Sequence, residues 1–318
     1  MKKLLKYWMK PKIAFWLSLF YLGISSAQVQ VQDSVFVNDS LKTVKRKRTN
    51  SLLAVSVFGV GTHAILYSTW YSKADQSKFH FFNDNKQWLQ MDKAGHAWSS
   101  FILSEATSTF YENNGYNSKQ AANLGLASSL VFQTAIEYFD GRSSRWGAST
   151  GDLGANVFGS MWSWSQRRIW GKVKIPIKFS VSLSNLASKR PNVLGANLPQ
   201  RLLKDYNAQT YWLNFQPNLF DFKVKGPKWL GFSLGYGAQG MVGGLNNIFQ
   251  DQQGVTQDLS HIQRYRQFYI SPSVSLSHLH SKHKVINVLY KLTDYIRLPL
   301  PSLEMTNKGN MQWNWIHY

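Results

Sequence analysis

Three short polar segments interrupt a long apolar stretch in the first half of the chain. They are Asp92-Lys93-Ala94-Gly95-His96, Glu137-Tyr138-Phe139-Asp140-Gly141-Arg142 and Gly151-Asp152-Leu153-Gly154-Ala155-Asn156. Each places ionisable or amide groups beside segments typical of buried or lipid-facing helix, where a charge is costly unless it pairs or hydrogen-bonds. We therefore expect the three segments to meet in one polar cluster inside an apolar helical bundle.

The N-terminus predicts export. Met1–Lys12 carries five lysines, Ile13–Ile24 is apolar, and Ser25-Ser26-Ala27 supplies small residues for cleavage before Gln28. This order of a basic, an apolar and a small-residue region is typical of a secretory signal peptide, here over residues 1–27. The apolar run is short for a membrane-spanning helix, and a retained N-terminal anchor is the alternative interpretation.

The chain is strongly basic, with a formal net charge of +20. Basic chains often bind nucleic acid, but an exported protein does not meet chromosomal DNA. We therefore expect no nucleic-acid partner, and a surface that faces membrane lipid, lipopolysaccharide or a partner protein of the envelope. The chain contains no cysteine, which excludes disulfides and thiolate chemistry. No cofactor is predicted.

Residues 28–50 predict a polar and basic linker, because residues 42–48 hold five cations. Residues 51–170 follow as a bundle of about four apolar helices. The first covers 51–72 and is about one membrane thickness long, so a spanning helix and a buried helix are both open. The other three are predicted at about 92–111, 118–139 and 149–168, with recurring small residues that allow close helix packing.

After Gly171 the apolar residues recur with a period of two, which is typical of β-strands. Strands are predicted at 172–184, 209–220, 229–241, 264–277 and 311–318, and one more helix at about 281–297. The sequence thus predicts an α+β fold, with the helical bundle over 51–170 and an antiparallel β-rich region over 171–318.

These strands are few for an outer-membrane barrel, which normally has eight or more. The aromatic stretch Trp313–Tyr318 is nevertheless similar to the last strand of such barrels. We expect the β-rich region to pack on the helices, against a membrane, rather than to form a pore.

Asp92 and His96 are four residues apart and share one face of the predicted helix. A carboxylate and an imidazole so placed can form a proton relay or bind a metal ion. The simpler interpretation is that Asp92 caps the helix N-terminus and His96 is a hydrogen-bonded buried histidine, and spacing alone favours it.

Glu137 and Asp140 lie at the end of an apolar helix, where the helix dipole disfavours negative charge. Glu137 therefore needs a partner, and the candidates are Lys93, Arg142 and Arg145. Asp140 precedes a glycine and is interpreted as a turn residue.

Ser149 and Asp152 fit a capping box at the start of the next helix, with Asp152 at its third position. Asn156 lies four residues further on the same face, and capping does not explain it. Because a buried amide needs several hydrogen bonds, we expect Asn156 to bond to another helix or to the loop 141–150.

The loop 141–151 contains Arg142, Arg145 and four serine or threonine residues before a helix N-terminus. Together with Lys93, these arginines and the free backbone amides can receive a phosphate or another anion. An ordinary connection whose arginines pair with Glu137 and Asp140 is equally open.

The motifs Asp92-Lys93-x-x-His96, Glu137-x-x-Asp140-x-Arg142 and Asp152-x-x-x-Asn156-x-x-Gly159 occur in this order. They resemble the signature of the YfiM-type family of predicted periplasmic lipoproteins and, more distantly, that of VanZ-like membrane proteins. The resemblance covers about residues 50–170, and Lys204–Trp212 is similar to an extension found in Bacteroidetes members.

The resemblance implies an envelope protein with a small helical bundle and supplies no reaction. The chain departs from the lipoprotein pattern because it has no cysteine after the predicted signal. We therefore expect its own apolar surface, or the β-rich region, to hold it to a membrane.

The favoured function is non-enzymatic: an exported, periplasmic protein associated with a membrane, with the outer membrane preferred. No nucleophile–base pair is recognisable. The alternative is a membrane hydrolase or transferase for a phospholipid or lipid-linked substrate, with His96 as base or nucleophile, oriented by Glu137 or Asp152. The three cations of the anion site would then hold phosphate.

A third hypothesis is a metal site built from His96, Asp92, Glu137 and Asp152. One histidine with carboxylates suits Mg²⁺, Mn²⁺ or Ca²⁺ better than structural Zn²⁺. The favoured interpretation assigns no metal.

Overall fold

The computed structural model describes residues 38–318 except 73–74, 217–226, 228, 252, 280, 284–285, 287–289 and 291–292. The predicted signal peptide, and residues 28–37 of the predicted linker, lie outside the described residues. The predicted α+β fold is confirmed, since an N-terminal helical region precedes an antiparallel sheet.

Four long helices form the N-terminal region: α1 (Asn38–Leu66), α2 (Met91–Asn113), α3 (Ser118–Gly141) and α4 (Thr150–Trp170). A π-helical turn (Tyr67–Tyr71) extends α1, and a short 3₁₀ segment (Gln87–Gln90) precedes α2. Helix α1 begins inside the segment predicted as a linker. Lys and Arg are good helix formers, so the cationic residues 42–48 continue the apolar helix instead of interrupting it.

Helix α1 lies along the bundle with much of its surface uncovered. The helical segment Leu41–Thr69 is long and apolar enough to cross a membrane: a stretch of 18 residues within it has a mean hydropathy of 1.5, and 6% of that stretch is buried. It contacts the bundle near both ends: Arg48 donates to the carbonyl oxygen of Gly115 at 2.9 Å, and His63 Nε2 lies 2.9 Å from that of Phe132.

The core between α2, α3 and α4 consists largely of small and polar side chains. Ser129 Oγ lies 2.8 Å from Ser160 Oγ and donates to the carbonyl oxygen of Ser100 at 2.8 Å. Gly159 of α4 lies directly against the backbone of Ala97 on α2, where a Cβ atom would be 2.8 Å from the carbonyl carbon. Small residues of this kind allow helices to approach closely.

A buried ion pair also joins α2 to α4. The guanidinium of Arg167 binds both oxygens of Glu105, at 2.6 Å and 2.7 Å, and Glu112 at 2.9 Å. No sequence pattern indicates this ion pair.

Six strands form one antiparallel sheet in the order β1-β2-β3-β6-β7-β8, and β4 and β5 form a separate pair. The bounds are β1 (Ile177–Val181), β2 (Gln209–Phe215), β3 (Leu230–Gln239), β4 (Ile248–Gln250), β5 (Thr256–Asp258), β6 (Tyr265–Val274), β7 (Leu300–Thr306) and β8 (Met311–His317). Two short helices, α5 (Pro191–Leu194) and α6 (Leu198–Lys204), lie between β1 and β2.

All five predicted strands are present, whereas β4, β5 and β7 were not predicted. Strand β7 begins in the proline-containing stretch that the sequence suggests ends a helix. Of the helix predicted at 281–297, seven residues lie outside the described residues. Ile286, Tyr290 and Thr293 are helical, whereas 281–283 and 294–297 are not.

The sheet packs on α2 through its β1–β2 end. The rings of Trp98 and Phe179 lie 4.9 Å apart, and Met91 and Tyr211 share one buried core. The sheet is also curled, because Trp212 of β2 and His317 of β8 contact each other at 5.6 Å although their strands are not neighbours.

Candidate functional site

The three predicted polar segments converge. They lie on the first turns of α2, the end of α3 and the first turns of α4. Nδ1 of His96 is 3.8 Å from Glu137 Oε1, and Nε2 is 3.7 Å from Asp152 Oδ1. We use "polar cluster" for the following residues: Asp84, Asp92, Lys93, His96, Glu137, Asp152 and Asn156.

Lys93 joins three carboxylates of the polar cluster. Its Nζ lies 2.7 Å from Asp84 Oδ1, 2.7 Å from Asp152 Oδ1 and 3.2 Å from Asp92 Oδ2. Burial opposes the charge of the ammonium group, but these carboxylates outweigh burial and raise the pKa of Lys93 above its ordinary value. Lys93 is therefore a fixed positive charge within the cluster.

His96 lies at the centre of the cluster, and 22% of its side chain is exposed. Burial alone would lower the pKa of His96, but the charges of Asp92, Asp152 and Glu137 outweigh burial and raise it above the ordinary value. Nε2 faces Asp92 Oδ1 at 4.0 Å.

A chain of hydrogen bonds makes Nδ1 of His96 a hydrogen-bond donor. Gln133 Nε2 donates to Ser100 Oγ at 2.9 Å, and Ser100 donates to Asn156 Oδ1 at 2.8 Å. Asn156 Oδ1 is therefore an acceptor, and Nδ1 of His96 donates to it at 3.1 Å. This bond explains the polar Asn156 in an apolar helix, which bonds to another helix as predicted.

Glu137 is buried, with 3% of its side chain exposed. Its Oε2 accepts the backbone amide of Ser149 at 3.0 Å, while Oε1 accepts no hydrogen bond within the described part of the chain. Burial raises the pKa of Glu137 to about 7. Its neighbours are thus His96 and a backbone amide, in place of the cations suggested by the sequence.

Ser149 caps α4 as predicted, since its Oγ accepts the amide of Asp152 at 3.1 Å. In the predicted capping box, the side chain of Asp152 would accept the backbone amide of Ser149. Glu137 of α3 accepts this amide instead. The carboxylate of Asp152 is therefore free to bind Lys93, and burial raises the pKa of Asp152 to about 6.

Asp140 lies beside the cluster and connects it to the extension of α1. Its Oδ1 accepts the hydroxyl of Tyr71 at 2.8 Å. Burial raises the pKa of Asp140 to about 6, although the bond from Tyr71 opposes this rise. The Tyr71 ring also contacts Trp146 at 5.8 Å.

The three cations predicted to bind an anion have different surroundings. Lys93 is held by carboxylates, whereas Arg142 is half-buried and Arg145 is exposed. Neither arginine side chain forms an ion pair with another residue in the described ranges.

Two residues that the sequence did not single out complete the site. Asp84 comes from the loop before α2 and binds Lys93. Tyr206 comes from the turn Tyr206–Ala208, and its hydroxyl donates to Asp92 Oδ1 at 2.6 Å. Tyr206 lies in the stretch Lys204–Trp212 noted above, but the sequence does not indicate a contact with a residue 114 positions earlier.

The fold and site define an α+β protein whose helical bundle is held together by buried polar groups. Residues 80–166 match a family model described as "Predicted periplasmic lipoprotein (DUF2279)", which confirms the resemblance to that family. The match runs from the loop before α2 to near the end of α4 and contains the whole polar cluster, while Tyr206 lies outside it.

No curated protein and no solved structure matches the chain. The family description supports an exported protein of the periplasm and cell envelope and gives no activity. The resemblance to VanZ-like proteins stays a prediction.

Proposed function

We propose that the protein is a membrane-associated envelope protein whose sheet contacts lipid with its outward face. The observation that carries this proposal is the polarity of the strands. When one face of an antiparallel sheet is solvated, apolar side chains point to the core and polar ones to water. Here the arrangement is reversed, as it is in strands that face lipid.

The inner face of the sheet is polar and buried. Ser233, Ser271 and Ser302 are at most 2% exposed. On the same face, the guanidinium of Arg297 lies 3.6 Å from the centre of the Trp212 ring. A core of this kind is expected where the solvent outside is apolar, because polar groups then gain more from each other than from the surroundings.

The outer face is apolar and continuous across the strands. One row of paired residues runs through Leu213, Leu234, Ile270, Leu303 and Trp313. The neighbouring row runs through Tyr211, Tyr236, Phe268, Met305 and Met311. Helix α2 and the turn before it cover this face around Tyr211 and Tyr236. Away from them, Leu234, Ile270 and Trp315 are 43%, 48% and 77% exposed. Burial of each large apolar side chain is worth about 1.5–3 kcal/mol, so a lipid cover is strongly favourable.

Helix α1 supports the same conclusion. Its apolar surface is uncovered, and the cations of residues 42–48 lie next to that surface, where they complement anionic headgroups. Alternating strands with aromatic residues are typical of outer-membrane proteins. We therefore propose the outer membrane as the location.

The absence of cysteine in the chain allows a direct test. Single cysteines at Leu234 and Ile270 on the outer face, and at the exposed Leu245 and Thr256 outside the six-stranded sheet, would carry a nitroxide label in the full chain reconstituted in phospholipid vesicles. Labels at Leu234 and Ile270 should collide with oxygen more than with a water-soluble nickel complex, and the control labels should show the reverse.

Equal access of the nickel complex to all four labels would overturn the proposal. Strong spin–spin broadening at Leu234 and Ile270, without contact with lipid, would also overturn it, because a second copy of the chain would then cover the face.

The convergence of His96, Glu137 and Asp152 favours a second candidate, the membrane hydrolase or transferase. Their atoms lie 3.8 Å and 3.7 Å apart, and a carboxyl group with a pKa of about 7 can exchange protons near neutral pH. Turnover of labelled bacterial phospholipids by the wild type, lost in His96→Gln, would support it. A wild type without turnover would exclude this activity on those lipids.

A further inference from the structure

We propose that the polar cluster binds a divalent cation of the Mn²⁺ type through His96, Asp92 and Asp152. This site is independent of the proposed lipid contact. One ligand atom from each of the three residues lies within 4.8 Å of the others. Ligands bound to one cation at about 2.0–2.2 Å are roughly 3 Å apart, so shifts of about 1 Å in the side chains would complete the site.

The orientation of His96 prepares one nitrogen for a metal ion. Nδ1 donates its proton to Asn156 Oδ1 at 3.1 Å, and histidines that bind metals commonly donate their second nitrogen in this way. Nε2 then faces the carboxylates of Asp152 at 3.7 Å and Asp92 at 4.0 Å. A neutral Nε2 in this place would direct its lone pair toward two negative groups, unless a proton or a cation lies between them.

Carboxylates face both nitrogens of the His96 ring. Nε2 faces Asp92 and Asp152, and Nδ1 lies 3.8 Å from Glu137 Oε1. Glu137 is 3% exposed, and its Oε1, which points toward His96, has no hydrogen-bond partner among the described residues. The His96 nitrogen that faces this oxygen is Nδ1, so a cation bound at Nε2, on the opposite side of the ring, would offset its charge only through the imidazole.

Lys93 Nζ already lies 2.7 Å from Asp152 Oδ1, so the cation would share that oxygen with the ammonium group. On Asp92, the two sides of the carboxylate have different neighbours. Oδ2 faces Lys93 at 3.2 Å, whereas Oδ1 faces His96 and accepts the hydroxyl of Tyr206 at 2.6 Å. The side chains of His96 and Asp92 are 22% and 21% exposed, so a cation can reach them from solvent. Imidazole nitrogen combined with carboxylate oxygen suits Mn²⁺.

The test is a titration of the full chain with MnCl₂ after EDTA treatment, followed by electron paramagnetic resonance. We expect one bound ion with hyperfine coupling to an imidazole nitrogen, and this coupling should disappear in His96→Gln. Asp152→Asn should weaken binding at least tenfold. Tyr206→Phe, which removes a bond to a ligand, should weaken binding by about tenfold while the nitrogen coupling persists.

The matched control is Asp258→Asn, which changes an exposed carboxylate on β5 and should bind Mn²⁺ as the wild type does. No binding below millimolar Mn²⁺, binding without nitrogen coupling, or equal affinities in Asp152→Asn and Asp258→Asn would each overturn the proposal. If His96→Gln does not fold, the Mn²⁺ affinities of Tyr206→Phe and Asp258→Asn decide: weaker binding by Tyr206→Phe supports the proposal, and equal affinities overturn it.

Discussion

Gly159 determines how closely α4 approaches α2 beside the polar cluster. A methyl group on Gly159 would lie 2.8 Å from the carbonyl carbon and 3.0 Å from the Cα of Ala97. The carbonyl oxygen of Ala97 would be closer still. Since carbon atoms in contact prefer about 3.5–4.0 Å, Gly159→Ala should push the two helices apart by about 1 Å or more. Gly154 of the same helix is a matched control, because a methyl group there meets nothing within 4 Å.

The two substitutions should change stability in opposite directions. Replacing glycine by alanine inside a helix gains about 0.5–1 kcal/mol, and this gain applies to both. At Gly159 the forced overpacking costs about 1–3 kcal/mol or more, which exceeds the gain. Because the gain is common to both, we expect the two variants to differ by the overpacking cost of about 1–3 kcal/mol, which corresponds to about 2–12 °C in melting temperature at 2–4 °C per kcal/mol.

Thermal unfolding of both variants in one detergent, followed by circular dichroism, measures this difference. Gly154→Ala should melt slightly above the wild type and Gly159→Ala clearly below it. The reasoning is refuted if Gly159→Ala melts at or above the temperature of Gly154→Ala, because the contact with Ala97 would then not limit the helix spacing.

Two further substitutions test buried charges. Arg167→Met leaves Glu105 buried without its cation and should cost about 3–5 kcal/mol in thermal unfolding; adding Glu105→Gln should recover part of this loss, and fully additive losses would contradict a coupled pair. Asp140→Asn removes a carboxyl group whose pKa is raised by burial from 3.8 to about 6. The protonated carboxyl group of the wild type favours the folded state, and this contribution to stability is lost as the pH rises through about 6. The variant should therefore melt above the wild type near pH 7 but not near pH 3.5, and a difference independent of pH would contradict this prediction.

The sequence predicted the helices well because turn and cap residues mark their ends. It missed β7, since Pro299 and Pro301 suggest the end of a helix, although proline is tolerated at the start of a strand. The sequence could not predict whether the polar or the apolar face of the strands is buried. Apolar and polar residues alternate along β6 with a period of two whichever face is buried, and only the curled sheet shows that Ser271 lies inside and Ile270 outside.

The candidate site was predicted where local spacing is informative. His96, Asp152 and Asn156 follow from helical periodicity within the bundle. Tyr206 could not be predicted, because its bond to Asp92 depends on how the β-rich region docks on α2. The partner of Glu137 was also not predicted. It is the backbone amide of Ser149, and because every residue except proline has such an amide, the residue type does not indicate it.

The start of α2 has a backbone conformation that local sequence does not favour. Trp88, Leu89 and Gln90 have φ angles of 49°, 50° and 62°, in the left-handed region. This conformation costs about 1–2 kcal/mol for each residue that is not glycine, and it persists only where the surroundings hold it. The sheet supplies these contacts, because Tyr236 donates to the carbonyl oxygen of Leu89 and Arg266 to the side chain of Gln90.

Asp92 and Lys93 follow this turn directly, so the sheet should hold the polar cluster in place. Tyr236→Phe removes the bond to Leu89 and should speed hydrogen exchange of the amides at 91–96, while those at 118–130 of α3 stay unchanged. Tyr265→Phe, on the neighbouring strand, is the control. Equal exchange at 91–96 in both variants would mean that the turn is held by the apolar core around Met91, and that the sheet and the cluster are independent.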